Sequence, residues 1–297
     1  MEKRIFQLEQ CIHQLQLKML IEKIEYPFDI IPEHLRLMEI PSFIRAKLKA
    51  IQFNPTLEKN EAKFQEVKYV GLNRMYQGQW YNNKQNGRGQ EYNDREKKFF
   101  YGYWKDGIFV QGLIITENYL FEGETQDDKF QNGVLVFSDQ RIFSGKFIQG
   151  ELNDEKGEYL SNTEKYFGGF RNSRKHGIGI YENKKIKYEG NFVEDIICGQ
   201  GSLMEKENRQ IQEGQFKDGL LDGKGVYIRS LEDYYVGYFK QGKEHGQGTL
   251  KKEGVIYQGN FIQGKLDGWV QMTQDRKIYK CFFQQGIEDQ NKRILIK

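Results

Sequence analysis

The sequence predicts a mainly-β fold: an elongated, twisted single-sheet array of stacked β-hairpins behind a short α-helical N-terminal region. Three observations carry this. First, a Tyr-x-Gly-x-Phe/Trp signature recurs from Tyr76 onward, with central glycines at 78, 102, 123, 145, 168, 190, 214, 237 and 259. Successive spacings are 24, 21, 22, 23, 22, 24, 23 and 22 residues, the mark of one small unit stacked many times. Second, all four prolines (27, 32, 41 and 55) precede residue 56, and all 32 glycines lie at or after Gly71. A continuous sheet excludes proline because proline cannot donate to a ladder. Third, the first 25 residues alternate apolar spacings of three and four, as one helix face does.

In chain order, residues 1–62 read as a helical cap or partner-binding region. Ile5, Leu8, Ile12, Leu15 and Met19 form the stripe of a helix over 3–25, which Pro27 ends. Shorter helices are expected over 33–38 and 42–51, the latter capped by Ser42. Two readings that do not exclude each other follow: these helices cover the exposed first edge of the sheet, and they pair with a partner's helix through Ile5, Leu8, Ile12 and Leu15.

Residues 63–286 read as the array. In Tyr188-Glu189-Gly190-Asn191-Phe192, alternate residues share a face, so the segment is a strand. A turn such as Lys217-Asp218-Gly219 follows, and Asp-Gly is a strong hairpin signal. The second strand carries Gly-x-Gly-x-Tyr/Leu, as in Gly177-Ile178-Gly179-Ile180-Tyr181. Glycine weakens a strand, so its repetition needs a reason; the reason expected is room for aromatic rings over bare backbone. Ten units give about 20 strands, a ribbon of roughly 90–100 Å at ~4.8 Å per strand, twisted and with one aromatic–glycine face. Residues 287–297 read as a C-terminal tail.

This pattern, with Glu244-His245-Gly246-Gln247-Gly248-Thr249-Leu250 after Tyr235-Val236-Gly237-Tyr238-Phe239, resembles the MORN repeat. The resemblance spans about residues 76–286. Some units depart from it. The second (Gly112), third (Gly133) and ninth (Gly268) each read as lacking the second glycine. The fourth has Glu155 in place of the first, and the third has Thr125 for the strand-end aromatic.

Several chemistries are disfavoured. Gly-x-Gly lies between strands here, whereas a nucleotide loop needs a following helix. His176, Cys198 and His245 occupy one slot in different hairpins and do not suggest a metal site. No nucleophile–base grouping stands out, so no enzyme and no cofactor is expected. Net charge is +3, with nine basic and nine acidic residues in 1–62, too diffuse for a nucleic-acid footprint. Three cysteines (11, 198 and 281) in no regular spacing indicate a reducing compartment. No apolar run nears the ~18 residues of a membrane span and no signal-peptide core is evident, so a cytoplasmic protein is expected.

A stacked array offers a long surface and favours binding over catalysis. The expected role is a scaffold that grips partner segments through Trp80, Trp104, Phe170, Phe192, Phe216, Phe239 and Phe261. The MORN resemblance implies partners in a large assembly, such as a radial spoke of a ciliary axoneme or another cytoskeletal structure. Exposed end strands would permit a homodimer. The alternative is membrane tethering through phosphoinositides, using Lys184-Lys185-Ile186-Lys187, Arg171–Lys175 and Lys251-Lys252.

Overall fold

The computed structural model describes residues 62–297, which form twenty-two strands and the turns between them. The helices expected before residue 62 lie outside the described residues. Two units divide the chain: 62–153 with 157–162, and 154–156 with 163–297. The N-terminal unit contains β1 (Lys63–Gly71), β2 (Arg74–Tyr81), β3 (Lys84–Asn93), β4 (Lys98–Lys105), β5 (Ile108–Ile115), β6 (Tyr119–Gln126), β7 (Lys129–Phe137), β8 (Ile142–Ile148), β9 (Glu151–Leu152) and most of β10 (Asp154–Leu160). The C-terminal unit contains β11 (Glu164–Arg171), β12 (Arg174–Asn183), β13 (Ile186–Val193), β14 (Ile196–Glu205), β15 (Ile211–Lys217), β16 (Leu220–Ser230), β17 (Asp233–Lys240), β18 (Lys243–Lys252), β19 (Val255–Ile262), β20 (Lys265–Gln274), β21 (Lys277–Gln284) and β22 (Ile287–Leu295). The stretch read as a tail thus carries strand β22.

Pairing within each unit is antiparallel and, β8–β10 apart, joins consecutive strands. Two-residue turns make this possible. Asp106 and Gly107 have φ of 51° and 91°, and Asp218 and Gly219 have 51° and 80°. Positive φ at both central residues gives the turn whose twist matches that of the strands it joins. Each such turn also ties to the preceding repeat. The Gly107 amide donates to the Gln85 carbonyl at 2.9 Å, and Gly219 donates to Ile197 at 3.0 Å.

Glycines stand side by side across the strands. In the N-terminal unit the register aligns Gly78, Gly89, Gly102, Gly112, Gly123, Gly133 and Gly145. In the C-terminal unit it aligns nine glycines from Gly168 to Gly259, after which Val270 and Cys281 take the positions. Tyrosine rings occupy the space. A Cβ added at Gly179 would lie 2.3 Å from the Tyr166 hydroxyl, and at Gly248 it would lie 2.2 Å from that of Tyr235. The hydroxyls find partners three residues on: Tyr166 donates to the Gly169 carbonyl at 2.9 Å and Tyr235 to that of Tyr238 at 3.1 Å. Burial pushes the Tyr188 and Tyr235 hydroxyls up to about 12.

The rings then interlock between repeats. Tyr166 meets Phe170 of its own strand edge-on at 5.0 Å and Phe192 of the next repeat at 5.1 Å. Tyr188 repeats this with Phe192 and Phe216, and Tyr235 with Phe239 and Phe261. Edge-to-face pairs of this kind add about 0.5–1.5 kcal/mol beyond area burial. Where Gln212 replaces the tyrosine, buried Leu221 packs 3.2 Å from the Cβ position of Gly225. Where Thr125 replaces the aromatic, Phe130 stacks on Phe121 at 3.9 Å instead.

The two glycines of Gly-x-Gly have different jobs, and this corrects the sequence reading. Gly177 has φ +72° and nothing within 4 Å of its Cβ position. It shapes a bulge in which two residues of β11 (Gly168 to Phe170) span four of β12 (Gly179 to Lys175). Gly179 makes room for the ring. Gly112 and Gly133 pair with Gly102 and Gly123, so they are the second glycine, and it is the first that the second and third units lack. Their bulges accordingly hold one extra residue rather than two. The ninth unit lacks its second glycine, as read: Gly268 has φ +83° and Val270 follows.

The opposite face differs between the units. In the N-terminal unit an apolar row runs in register from Met75 through Tyr92, Phe99, Ile115, Leu120, Val136 and Ile142 to Leu160. Beside it, Glu122 is held between Leu113 and Val134, and burial pushes its carboxyl up to about 7.

These packing relations have two measurable consequences. Gly179→Ala should destabilise by ~1–3 kcal/mol, because ring and methyl compete for one space. Adding Tyr166→Leu should recover part of that loss, a coupling that urea denaturation of the four-member cycle reads directly; strict additivity would count against ring-over-glycine packing. For Glu122, the raised folded-state value means that the native state holds a proton between about 4.5 and about 7 that the unfolded chain has lost. Its contribution therefore falls as pH rises through that window. Glu122→Gln should be near neutral at pH 4 and stabilising by up to ~3 kcal/mol at pH 8, measured by melting at both values.

Candidate interaction surface

The aromatic–glycine face is occupied by its own rings. Trp104, Phe170, Phe192, Phe216, Phe239 and Phe261 are at most 7% exposed, each packed on strand-borne neighbours. Trp80 is half-buried, edge-on to Tyr76 at 5.5 Å, with the Lys68 ammonium 5.4 Å from its ring. Ile5, Leu8, Ile12 and Leu15 lie outside the described residues.

On this face the N-terminal unit has a cleft of about 270 Å³, whose lining includes Arg74, Glu91, Lys98, Phe100, Tyr119 and Asp128. Arg74 closes a two-point pair with buried Glu91, at 2.6 and 3.0 Å, and Gln85 donates to the same carboxylate at 2.8 Å. The hydrogen bond to Glu91 raises the Arg74 guanidinium above its ordinary value. This network fixes the cleft wall and leaves its strongest charges mutually satisfied. Among the described residues, no group of three His, Cys, Asp or Glu side chains could hold a metal ion.

The opposite face of the C-terminal unit offers apolar side chains to solvent. Phe167 on β11 is 53% exposed and lies directly across from Ile180 on β12, with Ile178 two residues away. A second group comprises Val236 and Tyr238 on β17, with Val226 opposite Val236. Lys224 places its ammonium 5.6 Å from the Tyr238 ring. These residues fill the "x" positions of Tyr-x-Gly-x-Phe and Gly-x-Gly-x-Tyr, which point away from the ring layer. The repeat signature does not mark them, because it is defined by the residues that recur. A signal was present: most "x" positions hold Gln, Glu, Asn or Lys, so Phe167, Ile178, Ile180 and Val236 stand out.

Several residues of the basic stretches are paired with acids. Arg174 meets Glu194 at 3.3 Å, Lys175 lies between Glu164 and Asp195, and Lys251 meets Glu232 at 2.9 Å. Hydrogen bonds from Lys165 and Lys206 hold the Glu182 carboxyl down at about 2. No helix among the described residues is long and apolar enough to cross a membrane.

Comparison with known proteins agrees with this geometry. The MORN repeat family matches residues 76–94, 166–183, 188–204, 213–230, 235–253 and 257–268. Alsin of Homo sapiens and of Rattus norvegicus are each 31% identical over 96 residues, covering 29% of this chain and 6% of theirs. MORN repeat-containing protein 3 of Xenopus laevis is 32% identical over 78 residues, covering 24% of this chain and 32% of that protein. The chain thus spans less than a third of the length of each of these relatives. Repeats of this kind serve protein or membrane binding, and each matched segment here contains a glycine of the aligned series, so the chain is a MORN-repeat protein.

Proposed function

We propose that the protein is a non-catalytic adaptor that holds partner proteins on the outer face of its C-terminal unit, within a ciliary axoneme or related cytoskeletal assembly. The observation that carries the reading is the pair of exposed apolar groups, Phe167 with Ile178 and Ile180, and Val236 with Tyr238. They stand on β11 and β12 and on β17; from β12 to β17 is five strand steps, a separation of roughly 24 Å. A single partner helix of about 16 residues reaches both. Exposed apolar patches on a rigid sheet are the usual footing for a partner, and an aromatic beside a lysine suits a mixed apolar–acidic segment. The seven ring positions of the other face serve this role by holding the sheet in register. The cytoskeletal setting rests on the resemblance to stand-alone MORN proteins.

Membrane tethering is the competing reading, and the ion pairs at Arg174, Lys175 and Lys251 weigh against it. The tagged full chain, purified from cells beside Phe167→Asp/Ile180→Asp, tests the proposal. The expected result is loss of co-purifying proteins and of localisation to the assembly, with circular dichroism unchanged. An unaltered partner set would overturn the assigned face. Vesicles of phosphatidylserine and phosphoinositide should leave the chain in the supernatant. Tight, salt-sensitive co-sedimentation would replace the adaptor reading with the lipid one.

A further inference from the structure

The apolar row of the N-terminal unit is too well buried for the face of a one-layer sheet. Phe99 is 1% exposed, and Tyr92, Leu120, Val136 and Ile142 are likewise buried. Their packing neighbours, among them Met75, Leu113, Ile115 and Leu160, lie beside them on the same face and cannot close it from above. The C-terminal unit supplies the control. Its register-equivalent row runs from Lys165 to Ile278 and includes Ile211, Ile228 and Ile256. None of that row is buried, so a sheet alone leaves even isoleucine half-exposed there. Tyr103, two rows across on the same face, behaves in the same way. It is fully buried, whereas Tyr238, at the equivalent position, is 45% exposed.

We propose that residues 1–61 of the same chain form a second layer on this face, with the stripe Ile5, Leu8, Ile12 and Leu15 seated on the row. Three features select this occupant. The chain enters the sheet at Lys63 of β1, which pairs with β2, the strand that carries Met75 at the head of the row. The row crosses eight strands, about 34 Å at ~4.8 Å per step, and a helix over 3–25 spans about 34 Å at 1.5 Å per residue. The segment carries nine basic and nine acidic residues, so no net charge opposes its seating over a largely apolar strip. The segment therefore covers a face, rather than the first edge or a partner's helix, the two roles expected from the sequence. It also closes the outer surface of one unit and leaves that of the other for partners.

Hydroxyl-radical footprinting of the full chain tests this. Phe99, Leu120 and Ile142 should be protected in the native protein. In Leu8→Asp/Leu15→Asp their modification should rise several-fold, while Phe121 and Phe147 of the ring face stay protected and report that the sheet is intact. Lysine cross-linking of mixed light and heavy-isotope chains identifies the source of the cover. Links from residues 1–61 to the N-terminal unit should join isotopes of one kind only. Mixed-isotope links would assign the cover to a second copy and overturn the proposal. So would a row that is reactive in the intact chain, or one that stays protected in the double variant because another protein covers it.

Discussion

A tyrosine ring can lie flat on a β-sheet only where the strands beneath it carry no side chain. That constraint organises the molecule. Aligned glycines open a channel one residue wide across consecutive strands, and the rings of Tyr76, Tyr166, Tyr188 and Tyr235 fill it, each hydroxyl bonded to a carbonyl three residues on. A single layer of strands thereby gains a core without a second sheet. Because each ring sits between the aromatic of its own repeat and that of the next, stability passes from unit to unit through nearest neighbours.

A face used this way is largely closed to partners. Rings that are at most 7% exposed cannot anchor another protein without leaving their places over the glycines. The residues that alternate with them in the C-terminal unit stay accessible, as Phe167, Ile178 and Val236 do, and the ring packing does not dictate their identity. Period-two alternation thus separates two tasks along the strands of the C-terminal unit: one set of positions holds the sheet, and the other faces away from the ring layer.

Strands, turns and repeat length were legible in the sequence because each depends on local chemistry. Asp-Gly sets a turn, and Tyr-x-Gly-x-Phe sets a face. The two glycines of Gly-x-Gly were not separable by inspection, since one is needed for its φ and the other for its missing Cβ. Only the register, Gly112 against Gly102 and Gly133 against Gly123, tells which is which. The buried row was invisible for another reason. Met75, Tyr92, Phe99 and Leu120 are far apart in sequence and align only once the strands pair.

The two units differ in how many faces the repeat must serve. Five of the six family-matched segments lie in the C-terminal unit, and the one in the N-terminal unit is the β2–β3 hairpin. The unmatched stretch, β4 to β10, is where first glycines are missing, bulges are shorter and Phe130 stands in for a strand-end aromatic. It is also where apolar residues line the outer face. The departures and the apolar outer row coincide over β4 to β10, but the row begins on β2 and β3, where the repeat pattern and its wide bulge are intact, so the two faces of a strand are set independently of each other.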